Sequence, residues 1–77
     1  MRYFFDIDDG DGAVTDDEGV HFRTLEEAQA IGAKTLASLA LEALPNGGHR
    51  RLSLDVRDES GRVVYRAFLE FGSERPG

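Results

Sequence analysis

No cysteine occurs in this chain, which excludes a disulfide framework, a thiolate metal site and a cysteine nucleophile. Zinc would have to rest on His21, His49 and carboxylates alone, so a structural zinc site is not expected. No apolar run approaches the ~20 residues needed to span a bilayer. Near the start, Asp6, Asp8 and Asp9 stand where a signal peptide would carry its apolar segment, so a cytoplasmic protein without membrane association is expected. Bases are scarce where acids are dense: from Asp6 to Glu18 there are seven acids and no base. Residues 28–77 carry seven bases against six acids, and the formal net charge is -6. Phosphate contacts need local positive charge, so this distribution speaks against nucleic acid and fits a basic partner, if any.

Motifs of catalysis are missing as well. There is no G-x-S-x-G, and Ser38, Ser53, Ser60 and Ser73 fall on a helix, a strand, a turn and the tail, none on a strand-to-helix elbow. Asn46-Gly47-Gly48 follows a helix instead of opening one, so it cannot present a helix N-terminus to a phosphate. Asp16, Asp17 and Glu18 lie together but read as a solvated turn, and a chain this small has little volume for a carboxylate-lined pocket. No nucleophile, base and orienter can be assembled, and no enzymatic activity and no cofactor are expected.

What remains is a pattern of elements within 77 residues, enough for one domain. A chain of this size buries only about 60–65% of the surface it exposes when unfolded, so further burial through association matters. Residues 24–44 form the central stretch. Thr24 and Glu27 make a capping box, in which the hydroxyl accepts from the backbone N-H of 27 and the carboxylate reaches back to the N-H of 24. Pro45 and the two glycines end the helix. Leu25, Ala28, Ile31, Gly32, Thr35, Leu36, Leu39 and Ala43 recur at three- and four-residue steps, a stripe that needs a sheet to cover it. Ala30, Ala33, Ala37, Leu41 and Leu44 form a second stripe of mostly small residues, read as helix propensity plus loop cover.

Strands flank the helix on both sides. Residues 2–8 alternate, with Tyr3, Phe5 and Ile7 on one face and Phe4, Asp6 and Asp8 on the other. Asp9-Gly10-Asp11-Gly12 is a turn, and a four-residue loop there pairs Asp8 with Ala13 and Ile7 with Val14. After a second turn at residues 16–19, Val20-His21-Phe22 is briefly extended. Residues 50–57 put Leu52, Leu54 and Val56 inward, Asp58-Glu59-Ser60-Gly61 turns, and residues 62–71 form the last strand. Pairing Arg57 with Arg62 would set Val56 against Val63, Leu54 against Tyr65 and Leu52 against Ala67, with Asp55 and Arg66 as diagonal neighbours.

The expected fold is therefore α+β, of order β-β-α-β-β, an antiparallel sheet of about four strands with one helix packed on one face. The domain is expected to span residues 1–71, followed by a flexible tail at 72–77. One helix leaves the other sheet face open, and there Phe4, Val64 and Phe68 would lie among Arg2, Asp6, Arg66 and Glu70. Large apolar groups on a wet face suggest a protein interface made by Phe4, Val64, Arg66 and Phe68.

The charged segments offer two further candidate sites. Counting Ile7 as the first position of an EF-hand-type loop places Asp9, Asp11 and Glu18 at ligand positions 3, 5 and 12 and Gly12 at the bend. Ile7 cannot be the oxygen ligand that position 1 requires, so a hairpin turn is the preferred reading; any calcium site on Asp9, Asp11 and Glu18 would be weak. In the second hairpin, Arg50, Arg51, Arg57, Arg62 and Arg66 with Tyr65 and Phe68 superficially suggest a stacking platform for single strands. Asp55, Asp58 and Glu59 interrupt it, and no nucleic-acid binding is expected.

Arg2-Tyr3-Phe4-Phe5, the acidic turn, Asp16-Asp17-Glu18-Gly19, Leu25-Glu26-Glu27-Ala28 and the closing pair around Val56-Arg57-Asp58-Glu59-Ser60-Gly61-Arg62-Val63 occur in that order. In this the chain resembles a family of short bacterial proteins catalogued only as a domain of unknown function. The resemblance covers nearly the whole chain and implies a β-β-α-β-β domain without transferring any functional residue. The Thr24 to Ala28 helix start is also similar to HicB-type antitoxins, which implies a basic protein as partner; the acidic first hairpin and the lack of an appended DNA-binding element depart from that family. The function expected is a small non-enzymatic domain that binds a protein or self-associates, with a homodimer favoured; the alternative is an antitoxin-type module that binds a basic protein.

Overall fold

The computed structural model describes all 77 residues. Its elements run β1 (Arg2–Asp8), β2 (Ala13–Val14), β3 (Val20–His21), α1 (Leu25–Ala43), a 3-10 turn (Leu44–Asn46), β4 (Gly48–Arg57) and β5 (Val63–Ser73). The sheet is antiparallel throughout, ordered β2-β1-β4-β5, and β3 pairs the first residues of β1. β2 and β3 thus share one edge of β1, and the long β5 forms the opposite edge of the sheet. This is the α+β fold expected, with the thin edge strand split in two.

Local chemistry sets each element. Asp8 pairs with Ala13 and Ile7 with Val14, as the four-residue loop requires. Thr24 caps α1 by accepting from the Glu27 N-H at 3.2 Å. The reciprocal half of the capping box gives way to a different partner: the Glu27 carboxylate faces Arg23 at 3.7 Å. At the exit, the chain reverses through Gly47 and Gly48, both at φ 80, a left-handed backbone that side chains with a Cβ resist.

Ala28, Gly32 and Leu36 of α1 are buried against Tyr3, Leu52, Leu54 and Val56 of the sheet. The contact line is narrower than the stripe in the sequence, and Ile31 remains 43% exposed. The 28, 32 and 36 row of α1 faces the sheet squarely, with Leu25, Leu39 and Ala40 half-buried beside it, and Ile31 lies about 100° around the helix from Gly32. Gly32 sets how closely α1 can lie: a Cβ there would come 3.1 Å from Leu54 Cδ2.

The second hairpin departs from the simple register. Val56 faces Tyr65, Leu54 faces Ala67 and Leu52 faces Leu69, two residues further along β5 than expected, with an irregularity at Arg57, which faces Val63. The inward residues stay inward because the shift is even. Asp55 and Arg66, expected on a diagonal, are directly opposite. The irregularity also disturbs alternation at the two valines: Val63 is 42% exposed, whereas Val64, expected on the open face, is half-buried and packs against the core. At the far end β5 continues past Phe71, since Gly72 pairs with His49, Ser73 pairs with Gly48, and Ser73 Oγ donates to the Leu44 carbonyl. The tail expected from residue 72 therefore loses its first two residues to the sheet.

Candidate protein-binding surface

On the sheet face away from α1, the alternation of β1, β4 and β5 gathers Phe4 and Asp6, then Arg51, Asp55 and Arg57, then Arg66, Phe68 and Glu70. Cross-strand register places Phe4 beside Arg57, Asp6 beside Asp55, Asp55 beside Arg66, and Arg51 beside Glu70. Two carboxylates directly opposite, Asp6 and Asp55, would repel one another. Each is held by its own arginine. Arg57 donates from Nε and Nη2 to Asp6 at 2.5 and 3.1 Å, and Arg66 donates from Nε and Nη2 to Asp55 at 2.6 and 3.0 Å. The planar guanidinium fork suits this two-point contact. Each pairing raises its arginine above the ordinary value, and Arg57 holds the Asp6 carboxyl below the usual carboxylate value.

The aromatic rings of this face lie under cations. Arg57 is 5.1 Å from the centre of the Phe4 ring and Arg51 4.5 Å from that of Phe68. Arg51 also faces Glu70 at 3.5 Å. Phe4 is half-buried, while Phe68 is 59% exposed. Of the four residues expected at an interface, Phe4, Arg66 and Phe68 share this face, Arg66 with its charge already matched; Val64 is turned to the core.

Arg57 also donates to the Asp16 carbonyl at 2.8 Å, which ties the sheet to the crossing segment at residues 15–19. Asp16 Oδ1 accepts from the Glu18 and Gly19 N-H groups, each at 3.0 Å, and Oδ2 accepts from the Phe5 N-H at 3.1 Å. Its own N-H donates to Asp6 at 3.0 Å. The Gly19 N-H above all, then those of Phe5 and Glu18, keep the Asp16 carboxyl below its ordinary value. This Asp6, Arg57 and Asp16 network is the best-connected polar feature of the molecule and was not visible from the sequence. The signal that could have found part of it is Asp16 three residues before a glycine, the pattern of an Asx turn.

The acidic loop is organised by its own backbone. Asp9 Oδ1 accepts from the Asp11 and Gly12 N-H groups at 2.9 Å each, which lowers the Asp9 pKa. Asp11 faces Arg50 at 3.7 Å, and Arg2 reaches the Glu18 carbonyl at 2.8 Å. Asp9 stands in the turn just beyond β1, while Glu18 lies back beside the first half of that strand, between Asp16 on the Phe5 N-H and Val20 opposite Tyr3. The three calcium-loop positions are therefore not brought together, because residues 15–19 run back along β1 instead of curling round the turn. No group of three His, Asp or Glu side chains is arranged to hold a metal ion.

On the helix side, a shallow groove of about 450 Å³ lies between the C-terminal half of α1 and the first hairpin. Ile7, Val14, Leu39 and Leu52 line its floor, with Asp9 and Glu42 at the rim. It exists because β2 is two residues long and Val14 is left 71% exposed. The groove contains no nucleophile paired with a base.

A family model described as Domain of unknown function (DUF6894) matches residues 2–70. The chain belongs to that family. The match takes in every strand of the DUF6894 domain up to Glu70, the helix and the whole charged face, so the face is part of the family's domain. Comparison with curated proteins and with solved structures returned no match. No helix of the DUF6894 domain is long and apolar enough to cross a membrane.

Proposed function

We propose that the domain is a small non-enzymatic module that binds protein, itself or another chain, through the sheet face opposite α1, with Phe68 as the exposed anchor and Phe4 beside it. The supporting observation is the exposure of Phe68: it is the most open aromatic ring of the molecule, covered on one side by Arg51 alone, on a face where the acids already have arginine partners. A partner can bury the ring without stranding an unpaired charge. The antitoxin-type alternative draws less support, since Asp9 and Asp16, central to the acidic segment, are committed to backbone N-H groups.

Affinity capture from the native host, run in parallel with light scattering, tests this reading. Wild-type protein should retain a partner, a second copy included, that Phe68→Asp loses. Equal capture by both proteins, or none by either together with a strict monomer at high micromolar concentration, would overturn it.

A further inference from the structure

We infer that β5 pairs with β5 of a second copy of this chain, antiparallel about a two-fold axis at Phe68, to form one continuous sheet. This deepens the reading just given: it rests on association with protein and names the partner and the register.

The two edges of the sheet differ. Along β1, the outer edge is occupied by β2, β3 and, between them, the Asp16 carboxylate on the Phe5 N-H. β5 is eleven residues long, carries no proline or lysine, and has no strand beyond it. Such an edge is a template for another strand.

Which groups it offers follows from the ladder. The Phe5 N-H points away from β4, and hydrogen-bonding direction alternates along a strand and across each facing pair. Phe5 faces Val56 and Val56 faces Tyr65, so Tyr65, Ala67 and Leu69 direct their N-H and C=O groups to β4. Arg66, Phe68 and Glu70 direct theirs to the open edge.

Charge then selects the register. With Phe68 opposite Phe68 of the second copy, Arg66 faces Glu70 in both directions, and all three pairs can exchange backbone hydrogen bonds. Inside, Ala67 meets Leu69 and Tyr65 meets Phe71. A shift of the axis by two residues sets Arg66 against Arg66 or Glu70 against Glu70, and a shift by one leaves the charges opposite uncharged residues. In the chosen register, the side chains read Asp55, Arg66, Glu70, Arg51 across the seam, alternating in sign, because Arg66 already holds Asp55 and Arg51 already faces Glu70.

The helices add area. α1 packs over β4 and β5, so a two-fold at the edge sets the two helices side by side at about 10 Å, within helix-packing range. The flank of α1 toward the groove carries Leu39 and Ala43. By helical spacing Ala33 and Ala37 lie on the opposite flank, and just past the end of α1 the 38% exposed Leu44 is tied to β5 where its carbonyl accepts from Ser73. Small residues there permit the approach.

Charge reversal tests the register. Arg66→Glu sets two carboxylates against each other across the seam, at position 66 of one copy and Glu70 of the other. Glu70→Arg sets two guanidinium groups together in the same way, but a mixture of the two variants gives each charge an opposite partner again. By light scattering at high micromolar concentration, wild type should show twice the 8.5 kDa chain mass, each variant alone one chain mass, and the equimolar mixture the dimer again. Wild type that stays monomeric overturns the pairing, and a mixture of folded variants that stays monomeric overturns the register. If either variant fails to fold by circular dichroism, amide exchange on wild type decides. The Arg66, Phe68 and Glu70 N-H groups, open in a single copy, should gain far more protection on concentration than those of Tyr65 and Ala67, which β4 already holds, and an equal gain at all five, or none, overturns the proposal. A wild-type monomer that still captures a host protein through Phe68 defeats this pairing and leaves the broader reading standing.

Discussion

Asp16 stands in for the strand that the chain leaves out between β2 and β3. Its two carboxylate oxygens accept from three backbone N-H groups, those of Phe5, Glu18 and Gly19, and its carbonyl accepts from Arg57. Removing the carboxylate leaves the part-buried Phe5 N-H without its partner. Hydrogen bonds to a charged group contribute about 1.5–3 kcal/mol, reduced where water can replace them, so Asp16→Ala is expected to cost about 1–2 kcal/mol in denaturant melts. A variant as stable as wild type would mean that solvent satisfies these groups equally well. Protonation attacks the same network. Asp6 and Asp16 both have folded pKa values lowered from 3.8, the first chiefly by Arg57 and the second chiefly by the Gly19 N-H. The unfolded chain therefore binds more protons than the folded one as pH falls into that range, and stability is present above 3.8 and lost as pH drops through the folded values. Thermal midpoints measured against pH should decline on the acid side, with a shallower decline in Asp16→Asn, which has no carboxyl to protonate at that position.

Gly32 and Thr24 make α1 fit its place. A Cβ at position 32 would stand 3.1 Å from Leu54 Cδ2, so this fully buried side chain must give by a few tenths of an ångström. Gly32→Val should destabilise by about 1–3 kcal/mol through overpacking, whereas Gly32→Ala balances that crowding against a propensity gain of about 1 kcal/mol and should come out milder. Thr24→Ala removes the acceptor for the Glu27 N-H and should cost about 1 kcal/mol. These elements were legible because their determinants are local: a cap, a glycine exit, two alternating strands and a four-residue turn whose length alone sets Asp8 opposite Ala13. The parts that escaped depend on distant pairing. Nothing in residues 57–64 announces that Arg57 faces Val63, so the valine exposed to solvent came out as the wrong one of the two. Nothing local says that β1 lies against β4, which is what carries Asp6 to Arg57. The calcium-type spacing shows the same limit: counting along the chain sets Asp9 and Glu18 in one loop, as the preferred hairpin-turn reading does not require, while residues 15–19 run back along β1. Phe4, Phe68 and Arg66 were found on their face because alternation survives an even shift of register.

Taken as a whole, the molecule has few wholly buried apolar side chains for its length: Tyr3, Ala28, Leu36, Leu52, Leu54 and Val56. The rest of the apolar surface is half-buried at the margins of one helix on one sheet, and β5 carries its Phe68 ring on the unpaired side. A domain built this way gains from any second layer or added strand. If β5 pairs with a second copy, folding and association are linked, because pairing draws on the folded edge and not on the unfolded chain. The thermal midpoint should then rise with protein concentration, by roughly 4 °C for each tenfold increase given an unfolding entropy of about 2 cal/mol/K per residue. The charge-reversed variants, kept apart, should show no such dependence, and their equimolar mixture should regain it. A midpoint that is the same for wild type at all concentrations would place the whole stability of the domain inside one chain, and the small core would then have to suffice without help from the edge.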